Sequence, residues 1–367
     1  MKIAVIVCPN GLGHLKRVCD VTKELMKMNR KLKFDIWCQG WQLEKLGIKN
    51  KFKNRIRWHK NLMEPGVKWE TQKDLYQDGR LIKWENRLKN CKSIKKADVV
   101  ISDNLVGMLS IRPDTILMGS FLWSDVFSGF KKLNKNISAF IKRERQLLET
   151  HKPFMVCVND SAMEGVNKRT RAIRCSWMCE RIVKKKKQNK IKKIILLLET
   201  KYFNETLIKS IASQILTRED WALYTSHEIR KMLDKEFANR IQPFKHNPKS
   251  FQSSDIVICR PGIGIVTQCV GSKTPMVVVY ENNNVEMKHN ARRLSQLGWA
   301  IDLGSDPHQK TLYQNIHNAL NHTHWNRMVA QISKAKTKGH EQAAQWLSRY
   351  ISNLQMAGDF KLRSEGI

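Results

Sequence analysis

Short apolar runs alternate along this chain with stretches whose apolar positions recur at helical spacing. In the first half the runs are Ile3 to Cys8, Phe34 to Cys38, Val99 to Ser102, Thr115 to Met118 and Phe154 to Val158. Continuous apolar runs of this length, bounded by polar or glycine residues, suit strands buried on both faces of a parallel sheet. Between them, Leu15 to Met28 and Ile137 to Leu148 carry apolar residues three and four apart and predict amphipathic helices. The second half repeats the scheme with runs at Ile194 to Leu198, Trp221 to Tyr224, Asp255 to Cys259, Met276 to Tyr280 and Trp299 to Ile301. A helix is expected from Glu286 to Leu297, stopped by Gly298, and a last one from Gln342 to Leu354. Strand, helix, strand in this order implies right-handed crossovers. The expected fold class is α/β, with two Rossmann-like doubly wound domains facing a central cleft.

The length of 367 residues fits two such domains. Residues 181–193 hold a run of lysines too charged to pack, so they are read as a basic linker. This sets an N-terminal domain over 1–180 and a C-terminal one over 194–367, with its terminal helix free to cross back to the first. An alternative for the linker is a basic patch for anionic lipid or nucleic acid.

The net charge of +33, from 66 basic and 33 acidic residues, is spread over both halves. No recognition helix, aromatic RNA-binding signature or zinc-finger spacing accompanies it, which argues against nucleic acid as partner. The excess suits phosphorylated substrates or the face of an anionic membrane. Nine cysteines, several inside apolar runs, read as buried reduced thiols. Cys175 with Cys179, and His322 with His324, lack further ligands at zinc spacing. The run from Met1 ends at Pro9-Asn10-Gly11 without a cleavage site, and no stretch approaches 18 apolar residues. A cytoplasmic location is expected, with a peripheral position on the inner face of the membrane left open.

Two glycine turns carry the candidate chemistry. Gly11-Leu12-Gly13-His14 follows the first strand and opens a helix. Glycines at 11 and 13 permit a tight turn, the helix start offers free N–H groups to an anion, and His14 is suited to take a proton near neutral pH. It is no dinucleotide fingerprint, because position 16 is Lys. Lys16 and Arg17 either hold phosphate or lie on the helix surface. The second turn, Arg260-Pro261-Gly262-Ile263-Gly264, again lies between strand and helix and is suited to a diphosphate. Beyond it, Glu286 and Asn290 share a helix face and can hydrogen-bond sugar hydroxyls, although Glu286 also serves as an ordinary first-turn acid.

In the first half, Asp103 either orients His14, binds acceptor hydroxyls or caps a helix. Ser120 and Trp123, in Gly119-Ser120-Phe121-Leu122-Trp123-Ser124-Asp125, are candidates for an acceptor groove, with Trp123 either stacking on a sugar or buried in the core.

Arg260-Pro261-Gly262, Thr267-Gln268, Gly271, Lys273 to Val279, Glu286 to Ala291 and Leu297-Gly298 together resemble the nucleotide-sugar half of the two-Rossmann-domain (GT-B) glycosyltransferases. The likeness is above all to the UDP-N-acetylglucosamine transferase of peptidoglycan synthesis and its relatives, and it covers residues 1–20 and 255–302. It implies diphosphate binding at Gly262, Ile263 and Gly264, ribose binding at Gln268, sugar binding at Glu286 and Asn290, and a base at His14 in an acceptor-side loop. Arg260 is then a cation for the leaving group. A UDP-sugar is the favoured donor, the acceptor is unspecified, and no cofactor is implied. No Asp-x-Asp pair is present, so no metal is expected. Gln268 stands where the family usually has Glu, and Leu198-Glu199-Thr200-Lys201 lacks the expected glycine-rich turn. The first loop equally resembles that of the nucleotide-sugar hydrolase of pseudaminic acid synthesis, in which water replaces the acceptor. A non-catalytic basic binding protein on this fold is the third reading.

Overall fold

A computed structural model of the chain describes residues 1–48, 54–60, 80–130, 132–133, 135–182, 191–199, 202–233, 239–305 and 309–364. The chain divides into two compact units, Met1–Met178 with Gly339–Ile367, and Cys179–Lys338. Of the expected linker at 181–193, residues 183–190 lie outside the described set.

The first unit holds a seven-stranded sheet of β1 (Lys2–Val7), β2 (Lys33–Trp37), β3 (Ile56–His59), β4 (Val99–Asp103), β5 (Ile116–Met118), β6 (Phe154–Val158) and β7 (Arg171–Cys175). Their order is β3-β2-β1-β4-β5-β6-β7, parallel throughout. The second unit holds six, β8 (Lys193–Leu197), β9 (Ala222–Thr225), β10 (Ile241–Pro243), β11 (Ile256–Cys259), β12 (Met276–Val278) and β13 (Ala300–Asp302). They run β10-β9-β8-β11-β12-β13, again all parallel. Both units are thus doubly wound, Rossmann-like layers. The strand order reverses between β1 and β4 in one unit and between β8 and β11 in the other. Loops at the carboxyl ends of strands flanking such a reversal diverge and leave a crevice.

Packing explains why the central strands were legible as apolar runs. Ile194, Leu196, Ile256, Ile258 and Val277 are buried in one cluster with the helix residues Ile208, Ile211 and Ile215. Each such side chain contributes about 1.5–3 kcal/mol by leaving water, so the both-face burial of the sheet drives assembly. Strands β3, β7 and β10 were not expected. Each lies at a sheet edge, and they carry Arg57, His59, Arg171, Arg174 and Gln242, which hide the periodicity.

The helix Gly339–Ser364 is longer than the expected 342–354 and belongs to the first unit. There it packs along the helix Leu12–Met28. Trp346 and Tyr350 meet the ring of Phe154 edge-on at 5.1 and 5.8 Å, and Arg171 covers that ring at 5.2 Å. All nine cysteines are free, and burial pushes the thiols of Cys175 and Cys259 up to about 12, well away from reactive thiolate. Among the described residues no helix is long and apolar enough to cross a membrane.

One buried acid stands out in the first unit. Glu144 Oε1 accepts the backbone N–H of Ser124 at 2.6 Å, capping the start of the helix Trp123–Ser128. Burial raises its carboxyl from an ordinary 4.5 to about 7, against the lowering effect of the Ser124 bond. Between about pH 4.5 and 7 the folded chain therefore holds a proton that the unfolded chain has released, so this group's contribution to stability falls as pH rises across that window. Glu144→Gln removes the effect. Its unfolding free energy should match wild type at pH 4 and exceed it by pH 8, each pKa unit being worth about 1.4 kcal/mol. Urea unfolding of both chains across this range checks it; a constant difference would contradict the assignment.

Candidate functional site

In the first unit the helix begins at Leu12, three residues earlier than the apolar spacing suggested. Gly13 and His14 thus belong to its first turn. Only Gly11 uses the freedom of glycine, with φ at +84°. Among the described residues no side chain caps this helix. Behind the turn lies Gln42, fully buried, whose Nε2 donates to the carbonyls of Cys8 (3.1 Å) and Gly11 (2.8 Å).

Asp103 ends β4, and β4 lies against β1 with Val7 paired to Asp103. This register places the carboxylate across the sheet reversal from the His14 turn. His14 Nδ1 stands 2.5 Å from Asp103 Oδ1. A carboxylate only accepts, so Nδ1 carries the hydrogen and donates it, which leaves the Nε2 lone pair as the basic position of the ring. Arg17 donates to Asp103 Oδ2 from Nε (3.0 Å) and Nη2 (2.8 Å). Asp103 is 0% exposed and His14 13%. The helix-cap alternative for Asp103 is replaced by this pairing. Arg17, expected on phosphate or at the surface, turns inward instead, where its guanidinium gives the buried Asp103 carboxylate a charged partner.

The proposed acceptor stretch is largely core. Phe121 meets His14 at 6.5 Å, and Trp123 meets Phe121 edge-on at 5.0 Å and stacks on Phe127 at 5.2 Å. Trp123 is only 6% exposed. Ser120 is buried too, and its hydroxyl accepts from Ser161 at 3.0 Å. Next to Asp103, Asn104 adopts a left-handed φ of 55°, and its Oδ1 lies 1.5 Å from where a Cβ on Gly119 would fall. Glycine is required there by close approach.

In the second unit, Arg260 follows β11 and the helix Ile263–Ser272 opens with Gly262 as its cap residue. The Gly262 carbonyl accepts from Ile265 and Val266, each at 3.0 Å. Among the described residues no side chain caps this helix. Neighbouring helices of the same unit start with an accepting side chain, from Asn204, Ser226, Asn247, Asn284 and Asn321. Among the described residues no side chain accepts from the first amides of Ile263–Ser272, and a helix dipole favours an anion at such a start. Gly262 has φ −69°, ordinary for any residue, and a Cβ on it would meet nothing within 4 Å. Gly264 is exposed, and Gln268, one turn on, is half-buried.

Asn290 is buried, and its Nδ2 donates to the Pro261 carbonyl at 3.0 Å, tying the helix Val285–Gln296 to the glycine turn. Glu286 is half-buried in the first turn of that helix. Arg260 does not stand free: Nε and Nη2 grip both oxygens of Glu281 at 2.8 and 2.5 Å. Burial opposes ionisation of both groups, yet the pairing raises the guanidinium above its ordinary value and holds the Glu281 carboxyl below its own. Thr200 and Lys201, in the segment lacking the glycine-rich turn, lie outside the described residues.

The fold thus brings His14 to Asp103, and Gly262 to Gly264 to Arg260 and Asn290. Sequence reading missed Arg17, Gln42 and Glu281 as parts of these arrangements; the position of Arg17 one turn after His14 was the single local signal.

Residues 199–347 match the Glycosyltransferase family 28 C-terminal domain. No curated protein matches the chain significantly in sequence. Among solved structures, Medicago truncatula UGT71G1 complexed with UDP-glucose aligns with a TM-score of 0.67 at 14% identity, covering 95% of this chain and 98% of that one. A UDP-glucose:anthocyanidin 3-O-glucosyltransferase in complex with UDP aligns at 0.66 and 11%, covering 96% and 99%. The glycosyltransferase of kitacinnamycin aligns at 0.62 and 12%, covering 95% and 98%. At these identities the likeness is one of fold, the two-Rossmann-domain GT-B architecture.

Replacing Gln42 by Leu leaves the Cys8 and Gly11 carbonyls without their donor. The variant should lose roughly 1–3 kcal/mol of stability. Urea unfolding measures this, and an unchanged midpoint would show that the turn does not depend on Gln42.

Proposed function

We propose that this chain transfers a sugar from a nucleotide diphosphate sugar, UDP-linked by preference, to an acceptor hydroxyl. The observation that carries the reading is the His14–Asp103 pair. A buried carboxylate fixes the imidazole in the tautomer whose outer nitrogen is a base. Nε2 takes the proton of the acceptor hydroxyl as its oxygen attacks the anomeric carbon, and the bond to the diphosphate breaks with its electron pair going to the phosphate oxygen.

The donor half of the reading rests on the second unit. The uncapped start of Ile263–Ser272 offers amides to the leaving diphosphate as charge develops on it. Glu286 and Gln268 are assigned to the sugar and ribose, while Asn290, expected on the sugar, is buried and holds the turn through the Pro261 carbonyl instead. The match of residues 199–347 to a glycosyltransferase domain and the UDP-binding neighbours of the same fold support a nucleotide-sugar donor. The net charge of +33 favours an anionic acceptor, including one carried in a membrane surface.

The test is a panel of UDP-, GDP-, CMP- and dTDP-sugars screened by thermal shift, followed by turnover of the stabilising donor with and without acceptor extracts. Transfer to an acceptor, with slow loss of donor in buffer alone, is the expected outcome. Rapid turnover in buffer alone would replace transfer with hydrolysis. No stabilisation by any nucleotide would leave a non-catalytic binding role.

The open space at Gly262 generates a separate prediction. Gly262→Leu should unfold at the wild-type temperature, since the fold makes no demand on this position, yet bind the donor at least about tenfold more weakly, some 1.4 kcal/mol. Unimpaired binding by a folded Gly262→Leu chain would remove the diphosphate from this turn.

A further inference from the structure

Arg260 is the obvious cation for a bound diphosphate, yet its surroundings point elsewhere. Both ends of its fork are held by Glu281, and its guanidinium lies over the ring of Tyr202 at 4.2 Å. Glu281 also accepts from Asn284 Nδ2. Asn284 in turn caps the helix Val285–Gln296 by accepting from Met287 N at 3.1 Å. Asn290 of that helix then returns to the Pro261 carbonyl. One guanidinium therefore joins the loops that follow β8, β11 and β12, three neighbouring strands of the sheet, and the chain of bonds closes on the glycine turn itself. Both members of the Arg260–Glu281 pair are about one-fifth exposed, too dry for loose solvent screening.

We propose that Arg260 and Glu281 are positioning residues, a charge-neutral clamp that fixes the Pro261–Gly264 turn for the nucleotide diphosphate, and that Arg260 is not the cation facing the phosphates. This rests on the donor reading above and deepens it. A bidentate, ring-stacked guanidinium has no equivalent in an ammonium group, so charge alone cannot replace Arg260. Removing the Glu281 carboxylate loosens the turn. Were Arg260 a phosphate ligand, the same change would release it and strengthen anion binding.

The two accounts therefore predict opposite signs for one substitution. The experiment titrates UDP into the full chain as wild type, Glu281→Gln, Arg260→Met, Arg260→Lys and the Glu281→Gln/Arg260→Met double variant, with thermal unfolding recorded for each. The clamp predicts that Glu281→Gln and Arg260→Met each weaken UDP about tenfold, that the double variant is no weaker than either single one, and that Lys does not rescue. Tighter binding by Glu281→Gln, rescue by Arg260→Lys, or multiplying effects in the double variant would overturn it. Should Glu281→Gln fail to fold, Glu281→Asp serves in its place. It keeps the charge but shortens the reach, and unchanged affinity would overturn the clamp. A wild-type chain that binds no nucleotide diphosphate overturns the donor reading itself, whereas a binding wild type with the wrong sign at Glu281 overturns only the clamp.

Discussion

A carboxylate with no exposure at the end of β4 governs the first unit's site. A buried carboxylate is costly without partners, and Asp103 has two of different kinds, an imidazole on one oxygen and a guanidinium on the other. Meeting that demand fixes the rotation of the first helix, the tautomer of His14 and the inward turn of Arg17. The β1–β4 register delivers the carboxylate to this place, and Gln42 holds the preceding turn by its carbonyls.

The second unit solves a complementary problem with backbone groups. Among the described residues, five helices of that unit start under an accepting side chain, whereas the one after β11 starts at Gly262 with none. A helix start left in this condition is at its most favourable when an anion completes it. The charged side chain closest in sequence, Arg260, is already neutralised by Glu281. In the proposed reaction amides and dipole would meet the charge that develops on the diphosphate, and such preorganised groups need no rearrangement.

Much of this was legible in the sequence, for identifiable reasons. Central strands such as Ile256–Cys259 are apolar on both faces, and their runs announced them; β3, β7 and β10 mix charged and apolar residues near the sheet edges and did not. The glycine turns were visible because they fall between strand and helix. The start of the first helix was misplaced because Gly11 and Gly13, on either side of Leu12, mask its helical spacing to Leu15. Arg17, Gln42 and Glu281 act through partners 86, 31 and 21 residues away, distances that helical or strand periodicity does not encode. Trp123 and Ser120 show the converse, residues of suggestive type that the fold uses for packing.

In the proposed sugar transfer His14 is the base that takes the acceptor proton. The most direct test of this role compares His14→Ala with wild type in two measurements on the same preparation, donor affinity and the rate of sugar transfer under saturating donor. The account predicts unchanged affinity and a rate lower by about 10²–10⁴-fold, the usual worth of a positioned base. A His14→Ala chain that transfers sugar at the wild-type rate would contradict it.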